Sequence, residues 1–552
     1  MRPPIRSVLT SADVPTYELR ELTLGGVLAR AATGTPTKTL LHDVASGHTI
    51  SYAEAHQASD KLANGLASIG VQKGTHVALL MNNSWEHILA FLSIGKLGAI
   101  SVPINTATRG ESLRYYLEQS LSEYVFVDAS LLPRLAPILE SLPLVRAIVV
   151  LGEGAELDTD TIGRIDRYPY EQVLNVSSHV GVARDVRCSD LLLLAYTSGT
   201  TGPSKGNMVS HAAALTYGTS STEAHGYEPS DVFYVCLPLF HNNALLAGFG
   251  AALGLGATVA LGRRFSVSGF WGDIRTSGAT ITNLLGTMAN ILWSQTPSCA
   301  DRSHCLRLAS LSPTPKFVAE FEERFGLRAM NNYGMSDFGM ATAFTAKDPK
   351  EKRGSIGRPR QGVQIAIVDD DDFALPAGEV GEIVLRTDEP WRAATGYYRM
   401  PEATVLAMRN FWFHTGDRGY VDADGYFFFV DRKKDCIRRR GENVSSYEVE
   451  QIIATHPRVA NVAVFPVSTS DGDEEVAAAI VLRPGDTLSS NEIIAHCVSN
   501  MAYFMVPRYI EFREELPLTA NTKIEKFRLR SDFEADLAKV WDRERAGIEL
   551  QR

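Results

Sequence analysis

A loop rich in hydroxyls, glycine and lysine follows an apolar run at 191–206, which reads LLLLAYTSGTTGPSKG. Such a loop suits polyphosphate, because glycine lets backbone N–H groups approach, hydroxyls donate hydrogen bonds and lysine supplies charge. The Walker A pattern fails at every register, which excludes that kind of phosphate loop. The alternative is a surface loop without a ligand. The predicted phosphate-binding residues are Thr197, Ser198, Gly199, Thr200, Thr201, Gly202 and Lys205.

The segments before this loop alternate between two patterns. Residues 52–69 and 85–98 have helical spacing, whereas 76–80, 99–103 and 124–127 are short apolar runs. This alternation predicts an α/β fold with largely parallel strands and helical crossovers. Sheets of that kind bind ligands beyond the carboxyl ends of their strands, which is where the loop is expected.

The uncharged stretch 244–262 is close to the length of a membrane span. It is dominated by alanine and glycine, which insert weakly into lipid, and it ends in a strand-like run. A buried helix, a turn and a buried strand are therefore predicted.

Short strand patterns dominate after Gly354, at 364–368, 380–386 and 425–430, with turn signals between them. They predict a small β-rich subdomain. A charged segment at 431–443 follows, and the remaining residues have the pattern of a compact α+β unit.

The composition is that of an ordinary globular protein, with 552 residues, 45% hydrophobic and 21% charged. The net charge of −10 does not favour binding to nucleic acid or anionic lipid. The six cysteines include no CxxC pair, so a reduced, cytoplasmic location is expected. The N-terminus lacks the apolar run of a secretory signal.

Further motifs follow the loop in order, and together they resemble the adenylate-forming superfamily of acyl-CoA synthetases, aryl-CoA ligases, luciferases and adenylation domains. They are NNYGMSD at 331–337, GSIGRP at 354–359, GEVGE at 378–382, TGD at 415–417, DR at 431–432 and PLTANTKIEK at 517–526. The resemblance implies a multi-domain α/β protein. Its large N-terminal domain has two α/β subdomains and a β-barrel-like subdomain, and its small α+β C-terminal domain is mobile. With a boundary near Lys434, the expected domains are 1–433, which binds ATP and the acyl substrate, and 434–552.

The implied activity is ATP-dependent acid–CoA ligation. A carboxylate attacks the α-phosphate of ATP to give acyl-AMP and pyrophosphate, and CoA then displaces AMP. The enzyme has to hold like-charged reactants together and stabilise charge spreading onto pyrophosphate. The resemblance assigns Lys205 to the β- and γ-phosphates, Lys523 to the carboxylate and α-phosphate, and His241 to the acyl entrance. The alternatives are a solvated surface lysine for Lys523 and a core histidine for His241.

The other motifs are implied to hold the rest of the nucleotide. Asp417 would accept both ribose hydroxyls, Arg432 would support the same ribose, and Tyr333 would stack on adenine. Alone, Tyr333 would be interpreted as a core aromatic and Asp417 as a turn former. Asp337, where the family usually has Glu, would bind Mg²⁺ through oxygen. The further nucleotide-binding residues are Asn332, Gly334, Met335 and Ser336.

The cationic run at 432–440 has two interpretations. The generic one is a nuclear-localisation or nucleic-acid patch. The resemblance instead makes Lys434 the hinge of the small domain and brings Arg440, Gly441 and Glu442 to CoA. The segment GENVSS at 441–446 is most similar to the carnitine/crotonobetaine-type CoA ligase branch.

The chain departs from the family pattern at Thr522, where glycine is typical, and at 310–315, which reads SLSPTP. Two alternative functions stay open. One keeps adenylation but transfers the acyl group to a carrier protein or oxidises the adenylate. The other is a degenerate protein that binds ATP or acyl ligands without turnover. The expected partners are a carboxylic acid and CoA, with a homodimer as an option, and neither nucleic acid nor an integral membrane.

Overall fold

The computed structural model describes residues 17–153, 165–175, 185–197, 203–293, 295–312, 314–315, 317–432, 436–469, 473–517, 524 and 526–550. These residues form a large N-terminal α/β domain and a smaller C-terminal domain, as predicted. No helix in these ranges is both long enough and apolar enough to cross a membrane.

The first large sheet carries the predicted phosphate loop at one edge. Its strand order is β7-β6-β5-β3-β4-β8-β9, and all neighbouring strands are parallel except the final pair, β8 and β9. The strands are β3 His76–Leu80, β4 Ile100–Pro103, β5 Tyr124–Asp128, β6 Ala147–Leu151, β7 Asp166–Pro169, β8 Leu191–Thr197 and β9 Lys205–Ser210; the hairpin β1 Thr39–Asp43 and β2 Thr49–Ser51 precedes them.

Helices cover this sheet, and its central strands are mostly apolar; every residue of β3 is buried. A capping box starts α2, because Ser51 and Glu54 each bond the other's backbone N–H. Gly98, with φ of 67°, ends α3 in the left-handed conformation that glycine adopts readily. The helices are α1 Leu24–Gly34, α2 Tyr52–Ser68, α3 Trp85–Leu97, α4 Gly110–Gln119, α5 Leu132–Leu135 and α6 Tyr170–Leu174.

The second large sheet has the order β16-β15-β14-β13-β12-β10-β11-β1-β2. Its strands are β10 Val232–Val235, β11 Thr258–Leu261, β12 Ile281–Leu285, β13 Leu308–Ser312, β14 Arg328–Met335, β15 Gly339–Phe344 and β16 Arg358–Pro359. Its helices are α7 His211–His225, a π-helix Asn243–Gly250 that continues into α8 Ala251–Leu255, α9 Phe270–Ser277, α10 Gly286–Trp293 and α11 Val318–Phe325. The helix, turn and strand predicted for 244–262 are therefore confirmed.

A small antiparallel sheet follows, as the short strand patterns predicted. Its strands, in order, are β17 Val363–Val368, β18 Gly381–Thr387, β19 Phe413–Val421 and β20 Phe427–Arg432, with α12 Pro401–Ala407 between β18 and β19.

The C-terminal domain joins a hairpin to a four-stranded sheet. The hairpin is β21 Cys436–Arg439 with β22 Glu442–Ser445, and the sheet has the order β23-β24-β25-β26. Alternate residues of β23 fill two separate cores, with Val464 on one face and Ala463 on the other. The remaining elements are α13 Ser446–Ala454, β23 Val459–Ser468, β24 Glu474–Leu482, α14 Ser490–Asn500, β25 Tyr509–Phe512, α15 Lys526–Ala535 and β26 Trp541–Asp542.

Candidate active site

The hairpin of β8 and β9 holds the two ends of the predicted phosphate loop side by side. Thr197 and Lys205 oppose each other at the ends of these antiparallel strands. The residues between them, Ser198, Gly199, Thr200, Thr201 and Gly202, lie outside the described part of the chain.

A further segment, 395–398, covers the outer edge of β9. The N–H of Met208 donates to the carbonyl of Gly396 at 2.9 Å, and the N–H of Tyr398 donates to that of Gly206 at 2.8 Å. This pairing brings Tyr397 beneath Lys205, whose Nζ lies 4.7 Å from the ring centre. A cation at this distance is attracted by the face of the ring, so Lys205 is held at the base of the loop.

Asp337 lies in the turn between β14 and β15, next to Lys205. Its backbone carbonyl accepts the N–H of Ala394 at 3.2 Å. Burial raises the pKa of its carboxyl, whereas the hydroxyl of Tyr397, the charge of Lys205 and the amide of Asn207 all act to lower that pKa. One cation and one carboxylate therefore converge on Tyr397 at the end of the phosphate-loop hairpin.

This carboxylate is the candidate ligand for a divalent cation. In the described ranges, no cluster of three or more His, Cys, Asp or Glu could hold a metal by itself. Mg²⁺ often binds through one or two carboxylates, with substrate phosphates and water completing its shell. A single carboxylate beside a phosphate loop fits that pattern, and a bound cation would offset the unfavourable burial of Asp337.

Tyr333 and Asp417 contact each other across two sheets. The hydroxyl of Tyr333, on β14, donates to Oδ2 of Asp417, on β19, at 2.8 Å. Both residues are buried. The backbone of Asp417 is fixed as well, because its N–H donates to Oγ1 of Thr415 at 3.0 Å. The two residues predicted to hold adenine and ribose are thus neighbours, and Asp417 also lies opposite the backbone of Arg432 in the ladder.

The other predicted nucleotide residues follow Tyr333 along the same strand and turn. Gly334 needs to be glycine, because a Cβ there would lie 2.4 Å from the carbonyl oxygen of Gly339. Asn332 is held by its side chain, whose Nδ2 donates to Oγ of Ser310 on β13 at 2.8 Å. Met335 ends β14, and Ser336 begins the turn that contains Asp337.

His241 lies against the C-terminal domain. Its Nε2 is 3.0 Å from Oε2 of Glu442, the first residue of β22. Burial lowers the pKa of His241, but the carboxylate of Glu442 raises it by more, so the net shift is upward. Gly441, beside Glu442, packs on β12, since a Cβ there would lie 2.3 Å from Cδ1 of Leu285. The turn of the β21–β22 hairpin thus meets His241 and the carboxyl end of β12.

Arg440 precedes Gly441 and forms ion pairs within its own domain. Its Nη2 lies 3.3 Å from Oε1 of Glu475 and 3.4 Å from Oε1 of Glu544, while 58% of the side chain stays exposed. Arg439 is buried against the same Glu475, at 2.7 Å. At least these two cations of the 432–440 run therefore have acidic partners inside the domain.

A second contact joins the C-terminal domain to the loop region. Oγ of Ser204 donates to Oε2 of Glu448, on α13, at 3.0 Å. The hydroxyl of Tyr116 lies 3.0 Å from the same Oγ. Burial raises the pKa of Glu448, although hydrogen bonds from Ser204 and Ser112 act in the opposite direction. A carboxyl group of the small domain thus occupies a position next to the phosphate loop.

Three of these residues were missed in the sequence. Tyr397 and Asn207 lie close enough to Asp337 to influence its pKa, and Glu448 contacts Ser204, yet none lies in a chemically distinctive motif. Their roles follow from strand pairing and domain packing, which leave no local signal. Lys523 lies outside the described residues, and for Arg432 the structure defines the backbone.

Comparison with known families agrees with this geometry. A family model described as AMP-binding enzyme matches residues 28–398, and one described as AMP-binding enzyme C-terminal domain matches 448–523. Among curated proteins, the crotonobetaine/carnitine–CoA ligase of Citrobacter koseri is 34% identical over 484 residues, which are 87% of this chain and 93% of the relative. The ligase of the same name from Salmonella typhimurium is 34% identical over 485 residues, with the same coverage.

Solved structures show the same architecture. An o-succinylbenzoate CoA synthetase from Bacillus subtilis is similar with a TM-score of 0.79 and 26% identity, over 92% of this chain and 98% of that one. An anthranilate CoA ligase in complex with anthranoyl-AMP is similar with a TM-score of 0.70 and 27% identity, over 96% of this chain and 100% of that one. An amide bond synthetase from Marinactinospora thermotolerans is similar with a TM-score of 0.78 and 26% identity, over 92% of this chain and 99% of that one.

Proposed function

Because the chain belongs to the family of AMP-binding enzymes, we propose that it is an ATP-dependent acid–CoA ligase. In the first half-reaction, an oxygen of the acid bonds to the α-phosphorus of ATP and pyrophosphate leaves. In the second, the sulfur of CoA bonds to the acyl carbon, the thiol proton is lost and AMP leaves.

The meeting of Lys205 and Asp337 at Tyr397 is the observation that carries this proposal. Lys205 would bind the β- and γ-phosphates. Asp337 would hold Mg²⁺, whose charge offsets that of the phosphates. Asp417 would accept the ribose hydroxyls, with one of its oxygens already oriented by Tyr333. Fixed charges of this kind stabilise developing negative charge without having to reorganise during the reaction.

We propose that the small domain takes a different position in each half-reaction. The proposed small domain is 434–552 and the proposed large domain is 1–433. Lys434 is the proposed hinge between them. The contacts of Gly441 with Leu285 and of Glu442 with His241 support an arrangement suited to the second half-reaction. In the first, Lys523 would approach the carboxylate and α-phosphate.

The acid is a small or medium carboxylic acid, as the similarity to ligases named for crotonobetaine and carnitine suggests. A cytoplasmic location is part of the proposal and is supported by the cysteines at 188, 236, 299, 305 and 497, none of which is in a disulfide. A homodimer is a further prediction.

Exchange of labelled pyrophosphate into ATP across a panel of acids tests the first half-reaction. We expect exchange that depends on one class of acid. Absence of exchange with every acid, from folded protein that binds ATP, would favour a binding protein without turnover.

The acceptor is tested by adding free CoA, a phosphopantetheinylated carrier protein or a primary amine to the acid that gives exchange. We expect thioester formation with free CoA. Preference for the carrier protein or for the amine would contradict CoA ligation. The amine is included because the chain is similar to an amide bond synthetase.

A further inference from the structure

A small cavity lies between the sheet and the π-helix, close to the carboxyl ends of β10 and β12. Its volume is about 10 Å³, which is the space of roughly one water molecule. Its lining includes Tyr234, Val235, Cys236, Asn243, Gly248 and Asn283.

Two asparagine side chains on this lining are hydrogen-bonded to each other. Nδ2 of Asn283, on β12, donates to Oδ1 of Asn243, the first residue of the π-helix, at 2.8 Å. Each amide has both a donor group and an acceptor oxygen. The pair therefore retains one NH₂ and one carbonyl oxygen for a ligand, whichever way the two amides are turned. Among the described residues, no second side-chain hydrogen bond is found for either amide.

Each asparagine is two residues away from a residue that contacts the small domain. Asn243 follows His241 by two residues, and Asn283 precedes Leu285 by two residues on the same strand. Alternate residues of a strand share a face and lie about 7 Å apart. His241 contacts Glu442 and Leu285 contacts Gly441, so a molecule entering between these residues would reach the asparagines with its far end.

The lining is largely apolar and has no charged side chain, so the hydrogen-bonded asparagine pair is its main polar feature. Burial raises the pKa of Cys236 to about 12 and that of Tyr234 well above its ordinary value, so both are neutral at physiological pH. The hydroxyl of Tyr234 donates to Asp273 at 2.6 Å, and this carboxylate is not part of the lining. At the amide pair, an uncharged group that both donates and accepts hydrogen bonds fits better than a methyl group or an ion.

The π-helix is a second observation that points to this place. Its hydrogen bonds span five residues, an arrangement that is rare and often found at functional sites. It begins at Asn243, and Gly248 within it lies so close to β10 that a Cβ would be 2.9 Å from Cγ2 of Val235. The unusual helix thus closes on the cavity and carries one of the two amides.

We propose that Asn243 and Asn283 determine the specificity of the ligase by binding an uncharged hydroxyl, oxo or amide group at the far end of the acid. This assignment rests on the ligase function proposed above. An acid with a methyl group at that position would leave the amide pair desolvated and unsatisfied. A site that hydrogen-bonds a substrate group rejects an analogue without that group for this reason.

The test compares short ω-hydroxy acids, from 3-hydroxypropanoate to 6-hydroxyhexanoate, each with the acid that has a methyl in place of the hydroxyl. Acid-dependent pyrophosphate exchange gives kcat/KM for each member. At the preferred length, the wild-type protein is expected to favour the hydroxy acid by at least about tenfold. Asn283→Leu is expected to abolish or reverse that preference.

Asn243→Leu provides a second variant should Asn283→Leu fail to fold, and Asn461→Leu, at an exposed position in the C-terminal domain, is the matched control. If pyrophosphate exchange occurs but neither cavity variant changes the ratio of kcat/KM for the hydroxy acid to that for the methyl acid, the specificity assignment is overturned. The ligase function would stay intact. Preference for the methyl acids, or for the cationic 4-(trimethylammonio)butanoate, would also overturn the assignment alone. No exchange with any acid would overturn the ligase function and this assignment together.

Discussion

The carboxyl group of Asp337 lies between opposing influences. Burial raises its pKa and so favours the neutral form, while Tyr397, Lys205 and Asn207 favour the charged form without fully compensating. A group whose pKa is raised by folding makes the folded protein less stable as the pH rises through that pKa. Asp337 is therefore expected to lower the stability of the protein when its carboxyl group is charged and no cation is bound.

Asp337→Asn is accordingly expected to raise the melting temperature at pH 7 in the absence of Mg²⁺. The gain should shrink as the pH falls, because the wild-type carboxyl then becomes neutral in both the folded and the unfolded states. Thermal melts from pH 3.5 to 8 measure this difference. In the same variant, pyrophosphate exchange should fall by about two to three orders of magnitude. Asp337→Glu is the control, and equal melts and rates for Asn and Asp would contradict the assigned role.

The pKa of His241 is also raised, but here the charged form is the one that the folded protein favours. Its pKa is raised because Glu442 outweighs the effect of burial, so the pair stabilises the folded arrangement at low pH and loses that contribution as the pH rises through the raised pKa. Glu442→Gln should lower the pKa of His241, because the carboxylate that raises it is lost. NMR titration of the imidazole Cε1–H measures this shift, with His241→Gln to assign the signal. An unchanged titration would show that the two side chains do not meet in solution.

At the scale of elements, α13 connects the small domain to the phosphate loop. Glu448 on this helix bonds Ser204. Glu450, two residues further on and so on roughly the opposite side of the helix, bonds Lys526 at 2.7 Å within its own domain. The same helix therefore contributes to docking through one carboxylate and to internal stability through the other.

Glu448→Ala is expected to slow thioester formation from supplied acyl-AMP and CoA by about tenfold, while pyrophosphate exchange stays unchanged, because the hydrogen bond to Ser204 across the domains is lost. Rapid-quench measurement of each half-reaction separates the two effects. Glu450→Ala is the matched control and should lower the melting temperature instead. Equal loss of both half-reactions in Glu448→Ala would contradict a role in docking.

The elements were predictable to the extent that their signals are local. The helices predicted at 52–69 and 85–98 have regular apolar spacing and clear ends, such as the Ser51 cap and Gly98. Each begins at the predicted residue and ends one residue earlier than predicted. The π-helical hydrogen bonding of Asn243–Gly250 has no counterpart in composition, so that segment was predicted as an ordinary helix. The contact of Tyr397 with Lys205 depends on strand pairing between distant parts of the chain, which periodicity does not encode.

For the whole molecule, the predicted fold class and family are confirmed by the two matching family models and the shared architecture of solved relatives. The assignment of individual site residues stays a prediction, and Lys523 and Lys434 lie outside the described residues. Both are assigned by their positions in motifs, and the proposed alternation of the small domain between two half-reactions depends on both.

Lys523→Ala is expected to reduce pyrophosphate exchange by at least about two orders of magnitude and to leave thioester formation from supplied acyl-AMP largely intact. Separate assays of the two half-reactions measure this. The observation that would contradict the alternation is a comparable loss in both.

Lys434→Pro should have the reverse effect, because proline fixes the backbone of the proposed hinge. Adenylation should persist while thioester formation is lost. Lys433→Ala, at the adjacent position, is the control, and intact thioester formation in the proline variant would argue against a hinge there.

The π-helix also affects how this pocket can diverge in evolution. Each residue of an α-helix turns the chain by about 100°, so deletion of one codon between Asn243 and Gly250 would shorten the wide turn and rotate the amide of Asn243 away from Asn283. Replacing side chains one at a time would alter the same surface only gradually. A change in chain length, rather than a point substitution, is therefore the abrupt route by which a descendant of this enzyme would acquire a different acid.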